Sequence, residues 1–271
     1  MRILIFTNGS LANDPALLLG CRVLRRIDEP PTLLMLVDPT LDRHPPLTET
    51  ALTEACKVLG TLKAQTRVRI GYYPDELLAE VKEGNYDLVI LSEVKKNWLL
   101  KSSKTIKITE QVSCPVLVAK GKVGTPIRRI LLCDSGASQE SVLSRFTAKL
   151  AALLEGEEEI TLLHVMSQIS AGPGVRGAQL RAEAESLIRE RTPEGDLLKR
   201  DLKTLQEFGL RSVPKIRHGL VVDEILAEAQ SGDYDLVVIG AHRRQGWQGY
   251  LLDDLAHKIM LQLDRPVLIV K

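Results

Sequence analysis

The sequence predicts an α/β protein made of two tandem doubly wound domains, each a five-stranded parallel sheet with helices on both faces. Two observations carry this reading. The 271 residues contain an ordered internal repeat, and within each copy short unbroken runs of Val, Ile and Leu alternate with segments of helical spacing. Such runs suit strands buried on both faces, and alternating strand and helix signals describe a parallel sheet covered on both sides.

The repeat is clearest in the middle of each copy. Residues Asp75 to Ile90 read DELLAEVKEGNYDLVI and Asp223 to Val238 read DEILAEAQSGDYDLVV, identical at ten of sixteen positions without a gap. Arg2-Ile3-Leu4 answers Arg129-Ile130-Leu131, and Pro115-Val116-Leu117-Val118 answers Pro266-Val267-Leu268-Ile269. Three matches in the same order mean a duplicated unit. The offset between copies is 127 at the first match, 148 at the second and 151 at the third. The second copy therefore holds roughly twenty extra residues between its first and third strands, and three more after its fourth. Gly121, Gly124 and Pro126 punctuate the join, which sets the expected domains at 1–122 and 127–271.

In chain order, the strand signals of copy one are Ile3–Phe6, Leu33–Val37, Val68–Ile70, Leu88–Leu91 and Val116–Ala119. Those of copy two are Ile130–Cys133, Ile160–Val165, Val213–Ile216, Leu236–Ile239 and Val267–Val270. Leu77, Leu78 and Val81 recur at helical spacing after Pro74-Asp75-Glu76, a proline and two acids suited to a helix's first turn. Ile225, Leu226 and Ala229 repeat the pattern. Gln179–Phe208, which holds the insertion, reads as helix broken near Pro193-Glu194-Gly195. In sheets of this kind ligands are expected at the carboxyl ends of the strands.

Lys and Arg number 36 against 35 Asp and Glu, a net charge of +1, so no broad field draws the chain to nucleic acid or to a membrane surface. Cys21, Cys56, Cys114 and Cys133 show neither a CxxC pair nor zinc-type spacing and are expected as buried reduced thiols. Met1-Arg2-Ile3-Leu4-Ile5-Phe6 is too short an apolar run for a signal peptide, and no stretch is long enough to span a bilayer. The expected location is the cytoplasm, with no metal site.

Five strand units per copy, closing in copy two on Tyr234-Asp235-Leu236-Val237-Val238-Ile239-Gly240 and Pro266-Val267-Leu268-Ile269-Val270, resemble the universal stress protein family. Leu162-Leu163-His164-Val165 looks like the family's second strand, and the resemblance covers Arg2 to Lys120 and Arg129 to Lys271. It implies a strand order of 3-2-1-4-5 in each copy and packing of the copies as an internal pseudo-dimer. In that arrangement the edge Val116–Val118 meets Val267–Ile269.

The family's nucleotide-binding members carry, after strand four, Gly, two residues, Gly, nine residues, then Gly and Ser or Thr. Such glycines let backbone amides approach phosphates, and the last pair opens a helix whose N-terminus favours anions. An acid after strand one meets the ribose, and strand-two backbone meets adenine. In copy two Gly240 matches the first glycine, while Arg243 stands at the second and Asp253 and Asp254 at the final pair. Asp134, with Ser135 beside it, matches the position after strand one, Val165 lies on strand two, and His242 and Arg244 share the loop. Asp253 and Asp254 suit the dipole of the helix they open and would repel a triphosphate there; they also serve as plain helix caps. In copy one Asn8 replaces the acid, no glycine lies between Ser92 and Trp98, and Ser102 and Ser103 fall on the final pair. Lys95 and Lys96, with Lys101 and Lys104, make that end a candidate anion site or a solvated basic loop.

The expected function is that of a cytoplasmic stress-response regulatory or binding protein, with the family ATP loop degenerate in both copies. The alternative is an adenine-nucleotide-binding protein that holds ATP or AMP in a modified C-terminal site, with slow hydrolysis. The expected partners are other proteins or a small ligand, not nucleic acid or membrane; a homodimer is compatible with the sequence. No Ser/His/Asp set, metal cluster or Walker loop is present, so catalysis is not expected.

Overall fold

A computed structural model describes residues 1–7, 14–37, 39, 45–60, 63–93, 104–121, 123, 125–134, 141–154, 156–166, 183–243, 250–251 and 254–271. At 45–49, 242–243, 250–251 and 254–255 it describes the backbone alone. Copy one runs β1 (Ile3–Thr7), α1 (Pro15–Val23), β2 (Thr32–Val37), α2 (Pro45–Leu59), β3 (Gln65–Ile70), α3 (Asp75–Gly84), β4 (Leu88–Ser92), α4 (Lys104–Gln111) and β5 (Val116–Ala119). Copy two runs β6 (Arg129–Cys133), α5 (Val142–Ala151), β7 (Glu159–Met166), α6 (Ala184–Glu190), α7 (Pro193–Glu207), β8 (Arg211–His218), α8 (Val221–Ser231) and β9 (Leu236–Gly240). It continues through β10 (His242–Arg243), β11 (Tyr250–Leu251), α9 (Asp254–Gln262) and β12 (Val267–Val270). Every apolar run named above lies within a strand.

Ten strands form one sheet in the order β3-β2-β1-β4-β5-β12-β9-β6-β7-β8. Read from its own first strand, each half has the order 3-2-1-4-5. Pairing is parallel within each half and antiparallel where the halves meet, with Val267 opposite Val118, Leu268 opposite Leu117 and Ile269 opposite Val116. The expected meeting of edges is therefore closer than two sheets abutting: backbone hydrogen bonding runs unbroken from one half to the other. Pairing the two β5-type strands removes two apolar edges that would otherwise invite association.

The cores follow the faces of the sheet, not the copies. On one face α1, α2, α5 and α7 cover a cluster that includes Ile5, Leu33 and Ile90 of copy one and Leu132, Leu162 and Val238 of copy two. The other face buries Leu4, Val89 and Val116 together with Leu131, Val237 and Val267. All twelve are fully buried, each contributing about 1.5–3 kcal/mol relative to exposure. The linker joins in, for Val123 and Ile127 belong to the first cluster. Gly121 turns at φ +63°, where a Cβ would lie 1.7 Å from the carbonyl oxygen of Asp264; only glycine fits that approach.

One sequence expectation is corrected. β3 is an edge strand, exposed at five of its six residues, because it pairs with β2 alone; its apolar run does not mean burial on both faces. The helix break expected near Pro193 is present: Arg191 is left-handed (φ 54°), and Pro193 opens α7. Thr192 caps that helix by accepting from the Gly195 amide at 3.1 Å, and proline suits its first turn.

The duplication extends to side-chain detail. In copy one Tyr86 and Arg67 donate to Glu80 Oε1 at 2.7 and 3.0 Å, and Arg69 reaches Glu80 at 3.1 Å and Glu76 at 2.9 Å. In copy two Tyr234 and Lys215 donate to Glu228 Oε1 at 2.7 and 2.8 Å, and Arg217 reaches Glu228 at 3.0 Å and Glu224 at 2.6 Å. Glu80 and Glu228 are both buried, so each needs these donors to offset lost hydration.

Candidate functional site

The strand order reverses between β1 and β4 in copy one and between β6 and β9 in copy two. The carboxyl ends of these pairs are where a doubly wound sheet opens a crevice. The two crevices are built differently.

In copy one Asp14 caps α1, and its Oδ1 accepts from the Ala16 amide at 2.9 Å. The Asp14-Pro15 pair is a strong helix start. The same carboxylate accepts from Thr7 at the end of β1 at 2.6 Å and from Ser92 at the end of β4 at 2.5 Å. Ser92 also accepts from the Ala16 amide at 2.9 Å. Asp14 and Thr7 are buried. The helix's first free amide, where an external anion would bind, thus already faces an internal one.

In copy two the matching positions carry Asp134, Ser141 and Gly240. Asp134 follows β6, its amide bonded to the Leu163 carbonyl at 3.1 Å. Its carboxylate is mostly buried and lies 3.9 Å from the Arg200 guanidinium of α7. Arg200 in turn pairs at 3.3 Å with both oxygens of the fully buried Asp201. His164 Nδ1 lies 3.0 Å from the Asp134 carbonyl, which supports the structural role its place in a strand suggests. Among the described residues, Ser141, which precedes α5, makes no side-chain cap bond, and the buried hydroxyl of Ser144 in the first turn has no partner. A Cβ at Gly240 would meet nothing nearer, among the described residues, than Leu143, at 3.9 Å.

The loop after β9 is not an open turn. Its ends pair antiparallel, His242 opposite Leu251 and Arg243 opposite Tyr250, and β11 packs against α4 of copy one. The three residues that copy two adds here accompany a small hairpin reaching over the other half.

Asp134, Val165 and Gly240 therefore end or border the neighbouring strands β6, β7 and β9, with Val165 partly buried in the second core. For His242, Arg243 and Asp254 the backbone is placed, with Asp254 opening α9; their side chains lie outside the described residues. Ser135, Arg244, Asp253, Asn8, Lys95, Lys96, Ser102 and Ser103 lie outside the described residues altogether. Sequence reasoning missed Asp14 and Arg200. The Asp-Pro start was a readable signal for the first; the second, on α7 where its counterpart α2 carries Leu52, had none.

Burial pushes the thiol of Cys133, beneath this crevice, well up, and Glu228 and Asp134 add to the shift. It is a packing residue, not a nucleophile. Cys114 is likewise pushed up to about 11 by burial. All four cysteines are free, Cys114 and Cys133 buried and Cys21 and Cys56 partly so. Among the described residues no cluster of His, Cys, Asp or Glu could hold a metal ion, and no helix is long and apolar enough to cross a membrane.

Comparison with known families finds one match, to the universal stress protein family over residues 126–271. Among curated proteins nothing matches. Among solved structures, a functionally unknown protein from Pseudomonas aeruginosa PAO1 is 18% identical with a TM-score of 0.67, over 100% of this chain and 92% of that one. A universal stress protein from Archaeoglobus fulgidus is 16% identical with a TM-score of 0.64, over 100% and 96%. Both likenesses concern the fold.

Proposed function

This chain belongs to the universal stress protein family, and from that premise we propose that it is a stress-response binding and regulatory protein rather than an enzyme. Its two copies, 1–122 and 127–271, act as an internal pseudo-dimer in which neither crevice is a family-type ATP site. The observation that carries this is Asp14, whose buried carboxylate sits on the Ala16 amide of α1 and bridges Thr7 and Ser92. A phosphate entering copy one meets a fixed negative charge and a spent donor. In copy two the helix that would receive a phosphate opens on Asp253 and Asp254, whose carboxylates add like charge. The cytoplasm is the proposed location, in keeping with four free cysteines.

A second reading rests on copy two alone. Among the described residues, Asp134 after β6, an α5 start without a side-chain cap and a Gly240 with no close neighbour favour a small ligand such as AMP or ATP there. Calorimetry of the full chain with Mg-ATP and with AMP tests both readings. Heat-silent titrations are expected; saturable binding of either nucleotide overturns the first reading in favour of the second.

A further inference from the structure

We draw no further inference here: the strongest candidate, the polar cluster of Asp134, Arg200, Asp201 and the buried Ser144 hydroxyl between β6, α5 and α7 of copy two, belongs to the crevice already described and adjoins segments outside the described residues, so nothing in the structure shows what fills it.

Discussion

Lys120, the residue after β5, donates to the carbonyl of Met260 in α9 of the other copy at 2.6 Å. Lys271, the residue after β12, donates to the carbonyls of Thr109 and Val112 at the end of α4. Each copy thus sends the lysine that follows its last strand to the last helix of its mate, where a cation complements the helix dipole. Truncating either, as Lys120→Met or Lys271→Met, should destabilise the fold. The cost should be about 1.5–3 kcal/mol for Lys120, as for a hydrogen bond to a charged group, and less for Lys271, whose charged form burial opposes. Urea unfolding of the two variants checks it.

Lys271 should also give the protein an alkaline response. Burial lowers the Lys271 pKa from 10.5 to about 8, against the pull of Cys114 and Glu110. Between those values the unfolded chain holds a proton that the folded chain has lost, so raising the pH favours folding. Urea midpoints for wild type relative to Lys271→Met should rise from about pH 8 to about pH 10.5 and be flat below. A difference that stays flat over that range would mean the amine is as well solvated in the fold as in the unfolded chain.

The β5–β12 seam should tolerate no charge. Val116 and Val267 are fully buried and lie on the two strands that close the sheet. Val116→Lys and Val267→Lys should each destabilise by more than about 3 kcal/mol, because each buries an unpaired cation. Wild-type melting curves for both would remove the seam from the account.

The duplicated carboxylates should behave alike. Glu80→Ala and Glu228→Ala each take the acceptor from a tyrosine hydroxyl and one partner from two cations, a loss of about 1–3 kcal/mol. Of those cations, Arg69 and Arg217 keep Glu76 and Glu224. Tyr234→Phe should cost about 1 kcal/mol. Burial raises the Glu228 pKa, but hydrogen bonds from Lys215, Tyr234 and Arg217 outweigh it, and the net shift is downward. A group lowered in the fold stabilises above its unfolded pKa of 4.5 and loses that contribution as pH falls through the folded value. Acid unfolding of Glu228→Ala should therefore begin at higher pH than that of wild type.

The triple variant Arg243→Gly, Asp253→Gly, Asp254→Ser restores the family pattern in copy two and removes two negative charges from the helix start. Each is worth on the order of 1 kcal/mol near a surface, several-fold in affinity. Mg-ATP calorimetry should detect binding by the variant and none by wild type. Wild-type binding that the variant weakens would mean that Arg243 contacts the phosphates and that the site is intact.

Strand positions and the repeat were legible because both are local signals: Ile130–Cys133 or Val267–Val270 can only be strand in such a context. The meeting of Val116–Val118 with Val267–Ile269 followed from the family resemblance. The site was much less legible. Asp14 and Ser92 are 78 residues apart and meet only because β1 and β4 are neighbours in the sheet. Arg200 reaches Asp134 from α7, whose counterpart α2 carries Leu52 at the matching position, so the repeat gave no hint of a charge there. Likewise the exposure of Val68 follows from β3 pairing with β2 alone, and an edge position leaves no mark on the strand itself.

The shared cores and the antiparallel seam impose an order on biosynthesis. β5 is complete about 150 residues before β12 leaves the ribosome, an interval of roughly ten to thirty seconds at ordinary elongation rates. Throughout it, the nascent first half presents the bare apolar edge Val116–Ala119 and two half-built cores, since the residues that complete them lie downstream. Two nascent chains on one message carry the same edge in that interval and can pair with each other instead. Fusing the copies in one polypeptide raises the local concentration of the right partner, but only for a chain that is kept apart from its neighbours until translation ends.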